Sequence, residues 1–334
     1  MKTATLATLC SAALLLGALA PAAAAKPTYA EQDDRLVLAN EHIALSLQGK
    51  KPRLEVRDTT NESRGYMVFL QRLVEVPSQA GLTGSSEAAS FNLARAEAWD
   101  ITHTQDADGI HVTMHREGPI ETHARPGDLP VPLPGPVGNL TANTTTGNAS
   151  VTIVFHLYAQ NRTVTAGNET SNVTVYEVKF DLQVERWDWV SRSDVLALEF
   201  LLVDQGDGNA TRGEVAAGGD RMEVEDANGT RIGHVGWLRT ATATTNNTAS
   251  EVPVDHLGGG RGQGNAQEPS GAKHWLVYRA PGWDSLEHDP SVGIEPTNPS
   301  GTAPTGAPVP GPGLVLVLLA AAPAAALLAA RRRT

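Results

Sequence analysis

Between residues 26 and 290 the apolar side chains return at every second position, in short runs cut by turn residues. Side chains alternate across a strand but repeat every 3.6 residues around a helix, so this spacing selects sheet. Glu41–Gln48 puts Ile43, Leu45 and Leu47 on one face, and Ile110–His115 does the same with Ile110, Val112 and Met114. Gly65–Val76 is long and largely apolar, and Val195–Val203 is apolar almost throughout, as a fully buried strand would be. Val151–Tyr158 and Val173–Val184 are the strongest strand signals, the second changing phase part-way as a bulge or bend would. Met222–Glu225 and Ile232–Leu238 flank Asn228-Gly229, a tight-hairpin signal, and His274–Tyr278 reads as a last strand. There is no amphipathic helix, glycine-rich nucleotide fingerprint or fixed-period repeat. The expected fold is all-β: an antiparallel β-sandwich of about a dozen short strands.

Two stretches break the alternation. Gly118–Asn148 contains PGDLPVPLPGPVG and then a Thr/Asn cluster, and Thr240–Ala272 contains TATATTNNT and then GGGRGQG. Both read as long loops. The first offers a boundary near residue 130 between two sheets or subdomains, although one domain over 26–290 is favoured. Gly258–Gly264 lacks the Lys-Ser/Thr and the strand–helix setting of a phosphate loop, and reads as a flexible linker.

The two ends are different in kind. Residues 1–25 combine Lys2, an apolar stretch from Leu6 to Ala20, Pro21 and four alanines, the pattern of a secretory signal peptide cleaved near Ala25. Residues 291–313 are rich in Pro, Gly, Ser and Thr and read as an extended stalk. Leu314–Ala330 is an uncharged run of seventeen residues, about 26 Å long as a helix and close to the span of a bilayer core. Residues 331–334 carry three arginines, which should stay cytoplasmic and leave the preceding chain outside. Pro310-Gly311-Pro312-Gly313, the short apolar helix and the terminal Arg cluster together resemble the sorting signals of archaeal surface proteins, the PGF-CTERM type recognised by archaeosortases. Pro312 stands where that family has Phe. The resemblance implies removal of the tail and attachment of a lipid, with residues 310–313 as the processing region. Bacterial PEP-CTERM tails share the layout, and a retained transmembrane helix is the plain alternative.

Ten Asn-x-Ser/Thr sequons fall between these ends: Asn61, Asn139, Asn143, Asn148, Asn161, Asn168, Asn172, Asn209, Asn228 and Asn246. Two-thirds of the fifteen asparagines lie in them, which points to an N-glycosylated surface protein. The formal charge is −11, but residues 26–313 hold 22 basic and 37 acidic residues, a net of −15. So acidic a portion disfavours a nucleic-acid partner, which would need a basic face for phosphates. The one cysteine, Cys10, lies in the expected signal peptide, so neither a disulfide framework nor a Cys-based zinc site is available.

Chemistry is faint at this level. His111 and His115 share a strand face but stand about 13 Å apart, too far for one metal, and His103 could face His111 across a hairpin closed at 105–109. Asp106–Gly109 and Asp204–Asn209 are oxygen-rich but lack the closing Glu of a calcium loop, and read as turns. Trp187 and Trp189, flanking Asp188, would share one strand face and could stack on sugar rings, with Glu185 or Glu199 nearby; core packing is the simpler account. Trp283–Asp289 reads as a polar, solvated turn before the stalk. No catalytic residue, metal or cofactor is expected. The partners expected are the membrane, through the C-terminal helix or a replacing lipid, and envelope proteins or glycans. A structural or adhesive envelope role follows, with an anchored carbohydrate-binding protein or glycan-cleaving enzyme as the alternative.

Overall fold

The computed structural model describes residues 26–78, 87–95, 99–123, 144–166, 169–204, 212–215, 220–226, 228–262 and 271–296. The expected signal peptide, the loop near residue 130, the apolar run 314–330 and the arginine tail lie outside them. Among the described residues there are strands and no helix, and no helix long and apolar enough to cross a membrane. The all-β expectation is met.

The chain opens as a meander of β1 (Thr28–Gln32), β2 (Arg35–Ala39), β3 (Ile43–Gln48), β4 (Arg53–Asp58) and the long β5 (Asn61–Pro77), each antiparallel to the next. Then come β6 (Ala89–Asn92), β7 (Asp100–Gln105), β8 (Gly109–Thr122) and β9 (Thr144–Tyr158). Among the described residues β10 (Arg162–Ala166) and β11 (Glu169–Val173) pair with each other alone, as a separate two-stranded sheet. The second half contains β12 (Glu177–Glu185), β13 (Asp194–Asp204), β14 (Arg212–Val215), β15 (Arg221–Glu225) and β16 (Arg231–Gly236). It ends with β17 (Thr240–Thr245), β18 (Thr248–Gly262), β19 (Gly271–Tyr278), β20 (Ser285–His288) and β21 (Ser291–Ile294).

Following the hydrogen bonds from β5 gives β13, β19, β18, β17, β20, β12, β9, β8, β6 and then β5 again, antiparallel throughout. Ten strands thus close into a barrel, where the sequence reading expected a sandwich of short strands. The reason lies in strand length. β5 has 17 residues, β9 has 15 and β8 has 14, long enough to change partners part-way along. Tyr66–Phe69 of β5 lies beside β4 and Arg72–Glu75 beside β6, with a register shift opposite Glu199/Phe200. β12 pairs with β21 through Glu177–Lys179 and with β20 through Leu182–Glu185. At both seams further strands branch outward: β4 to β1 from β5, and β21, β16, β15 and β14 from β12.

The alternation fills one continuous core. Ile110, Val112 and Met114 meet Val151, Ile153, Phe155 and Leu157, and beyond them Val178, Phe180, Leu182 and Val184. Each such side chain contributes about 1.5–3 kcal/mol on burial, and no cysteine follows Cys10 to cross-link the domain. β13 is buried on both faces, as its near-continuous apolar run implied: Val195 and Ala197 join a second cluster with Val74, Val76 and Val277.

Several boundaries differ from expectation. Val173–Val184 is two strands, with a turn through Thr174 and Glu177 where the phase changes. Thr240–Ala272 holds β17 and β18 rather than a loop: Ala241 and Ala243 are buried, and Asn246 and Asn247, both at positive φ, form the two-residue turn. Residues 258–262 of the expected linker belong to β18 and pair with β19 across a bulge. β21 lies in what the sequence suggested was stalk, with Val292 and Ile294 fully buried, and chain contacts group the residues up to Glu295 as one unit. β8 and β9, which flank residue 130, pair along their length, while residue 130 itself lies outside the described residues.

A stacked column runs from Phe200 on β13 through His274 on β19 and His256 on β18 to Trp237, which follows β16. Burial, then the neighbouring His256, hold the His274 imidazole down to about 4. An unfolded histidine takes its proton near 6.5, so this contribution is complete above pH 6.5 and is lost as pH falls towards 4. His274→Phe should cost less than about 1.5 kcal/mol at pH 7.5, yet retain about 2 kcal/mol more of the stability otherwise lost by pH 4.5. Urea denaturation at the two pH values measures both numbers. An unchanged acid limb would contradict the assignment.

Candidate functional site

Three strands bring a row of polar groups to the face opposite the core. His111 on β8 is in register with His156 on β9, and His156 with Lys179 on β12. Strand alternation turns Val112, Phe155 and Phe180 inward and leaves His111, His156, Tyr158, Lys179 and Asp181 together on the other side. Beyond β12, Glu287 of β20 pairs with Gln183 and Thr242. Asp289 follows β20, where the Phe180 N–H donates to the Pro290 carbonyl and ties the segment down.

Tyr158, Lys179, Asp181, Thr242, Glu287 and Asp289 line a cleft of about 320 Å³, with His111 and His156 behind Asp181. Val164 and Thr165 of the β10–β11 hairpin, with Leu238, Thr240 and His288, also line it. The Lys179 ammonium is almost fully buried between two carboxylates; it pairs with Asp181 and lies 3.2 Å from Asp289. His156 Nε2 is 2.8 Å from Asp181 Oδ2, and His156 Nδ1 is 2.7 Å from His111 Nδ1. A carboxylate only accepts, so His156 Nε2 carries a proton; with His156 neutral, its Nδ1 accepts from His111 Nδ1–H. The result is one hydrogen-bonded chain from the half-buried His111 to the floor of the cleft.

The two carboxyls are driven apart in acidity. Burial would raise Asp181, but the hydrogen bonds and charges of His156 and Lys179 outweigh it and hold the group well below the usual carboxylate range. Burial pushes Asp289 above that range; Lys179 pulls it back, and the charge on Asp181 adds to the rise. Burial lowers Lys179, yet its two carboxylate neighbours leave it raised overall. One carboxylate is thus a permanent acceptor and the other can exchange a proton close to neutrality, a division that suits acid–base work or cation binding. Lys179→Met should cost about 2 kcal/mol, because His156 still serves Asp181 and Asp289 can take up a proton. It should also raise the Asp289 carboxyl further, as carboxyl NMR titration would record. An unmoved Asp289 titration would show that the ammonium does not control it.

The residues marked by sequence lie elsewhere. Trp187 and Trp189 do not share a strand face; they sit in the turn between β12 and β13, edge to face at 61°. Trp187 is buried and its Nε1–H donates to Glu75 Oε2 at 2.9 Å. Trp189 packs edge-on against Trp283 and donates to its carbonyl at 2.8 Å. Glu185 is exposed, and Glu199 is buried between Arg72 and Lys273 at 2.9 and 3.0 Å. Trp283–Asp289, expected as a solvated turn, holds buried Trp283, strand β20 and the cleft's Asp289. His103 is opposite Val112 rather than His111, and stacks on Tyr29. Asp106 caps a turn by accepting from the N–H groups of Asp108 and Gly109, as expected; 205–209 lie outside the described residues. Among the described residues no three His, Cys, Asp or Glu side chains converge as a metal site. The sorting-signal residues Pro310, Gly311, Pro312 and Gly313 are also outside them.

No family model matches this chain, and no curated protein sequence does. Solved structures give similarity at low identity. The 4-alpha-glucanotransferase from Thermococcus litoralis aligns at 9% identity over 81% of this chain and 41% of that one, with a TM-score of 0.39. This chain therefore spans about two-fifths of the glucanotransferase. The Slr1438 protein from Synechocystis sp. PCC 6803 aligns at 8% identity over 80% of this chain and 96% of that one, with a TM-score of 0.34.

Proposed function

We propose that this chain is a membrane-tethered, N-glycosylated protein of an archaeal-type cell surface, held outside by its C-terminal segment, with a structural or adhesive role in the envelope. The observation that carries the reading is the placement of the sequons. Asn61, Asn148, Asn161, Asn172, Asn228 and Asn246 are all exposed, as glycan acceptors must be. In three of them the side-chain oxygen takes the hydrogen bond: Asn61 from Ser63, Asn161 from the Val175 N–H and Asn172 from Thr163. Asn139, Asn143, Asn168 and Asn209 lie outside the described residues.

Intact-mass and glycopeptide analysis of the protein extracted from native membranes tests this. The expected result is a chain beginning near Lys26, glycan mass on several of the six exposed asparagines, and either an intact tail or a lipid in its place. An unmodified Met1–Thr334 mass would overturn the reading. The alternative, an anchored carbohydrate-binding protein or glycan-cleaving enzyme, draws on the cleft and its two carboxyls of separated acidity. Trp187 and Trp189 lend it no support, since their ring contacts are with one another and with Trp283.

A further inference from the structure

We propose that the cleft beneath the β10–β11 hairpin binds a small organic ammonium with neighbouring hydroxyls, of the amino-sugar or amino-alcohol class. Charge is the first argument. Among the described lining residues Asp181, Asp289 and Glu287 are the carboxylates and Lys179 the one ammonium; Arg162, over the Tyr158 ring, is paired with Asp108, so the described lining carries an excess of negative charge. Lys179 is spent on two of the three carboxylates, Asp181 and Asp289, while Glu287 stands exposed at the rim. A cation entering the cleft would lie between Glu287 and Asp289 and supply the missing charge.

Shape and lining are the second argument. About 320 Å³ is at the small end of ligand cavities, the size of a single sugar ring or a short amino alcohol. Thr165, Thr240 and Thr242 present hydroxyls and Tyr158 an aromatic wall, matching a ligand that carries hydroxyls beside its charge. The cover is the third. Among the described residues the hairpin has no strand pairing with the barrel, and its ties include the Arg162–Asp108 ion pair at 2.7 Å and the Arg239 N–H to Glu169 Oε2 at 3.1 Å. Such a cover can lift without breaking a ladder.

Titration calorimetry of the full chain with D-glucosamine, and with D-glucose as the uncharged control, tests the proposal. Glucosamine should bind saturably at millimolar concentration and glucose should not. Glu287→Gln, a near-isosteric change at an exposed rim position, should weaken glucosamine by about threefold; Asp289→Asn should weaken it by about tenfold. Absence of saturable glucosamine binding, equal binding of glucose, or glucosamine binding unaffected by Glu287→Gln would each overturn it. Should Asp289→Asn fail to fold, Glu287→Gln alone decides.

Discussion

Gly233→Ala is expected to cost about 4 kcal/mol, enough to leave a marginal domain largely unfolded. A Cβ at this position would lie 2.4 Å from the Gly293 carbonyl oxygen and 2.4 Å from the Tyr66 ring. Neither neighbour can yield. The carbonyl belongs to β21, whose pairing with β16 is fixed by Gly233↔Ile294 and the next three positions. Tyr66 is fully buried, and its hydroxyl donates to one of two carbonyls, His234 at 2.5 Å or Gly293 at 2.9 Å, while accepting from the Gly293 N–H at 3.1 Å. An added methyl must therefore separate β16 from β21 or expel the ring that joins both to β5. Chemical denaturation of the variant measures the loss. A cost below about 1 kcal/mol would mean that the two strands lie farther apart than described.

Glu75→Ala should cost about 3 kcal/mol by a different route. Glu75 is fully buried, and its carboxylate accepts from the Trp187 Nε1–H at 2.9 Å, the Val190 N–H at 3.1 Å and the Ser191 N–H at 2.9 Å. One side chain of β5 thus pins the whole turn between β12 and β13. Each donor deprived of its acceptor costs about 1–3 kcal/mol where water cannot replace it, and Val190 and Ser191 are open enough for water to help. Trp187 is not. The variant should also show red-shifted tryptophan emission and weakened near-ultraviolet circular dichroism, because Trp187, Trp189 and Trp283 form one edge-to-face cluster. Unchanged spectra would show that the turn is held by something else.

The strands were legible because each carries its own signal: Ile43, Leu45 and Leu47 state both the period and the buried face. Their assembly was not. Closure depends on register between segments far apart in the chain, such as Tyr66 beside Asp204, and no local pattern specifies that. β21 escaped because Val292 and Ile294 are its only strong apolar residues in a stretch rich in proline and glycine. β17 escaped because alternating alanine and threonine bury little surface, although threonine's preference for strands and the Asn-Asn turn were there to be read. The tryptophans attracted attention by size, while the cleft is made by Lys179, Asp181 and Asp289, which look in sequence like ordinary solvent-side residues. Lys179 and Asp181 alternate with Phe180 and Leu182, and only the pairing of β8, β9 and β12 brings two histidines to them. Charged residues on a strand whose neighbours also carry polar groups at the same level are the signal to seek.

β20 is four residues long and lies near the end of the domain, yet among the described strands it alone joins β17 to β12 within the barrel. A chain delivered N-terminus first therefore holds an open sheet, with unpaired edges at β12 and β17, until about the last dozen residues of the domain are free. Pairings this distant make for slow folding, and the incomplete sheet is the species exposed to misassociation in the meantime. Truncation just before Ser285 would remove only a small part of the core, but it would arrest the molecule at that stage. Closure of this barrel thus rests on one of its last and shortest strands rather than on its largest ones.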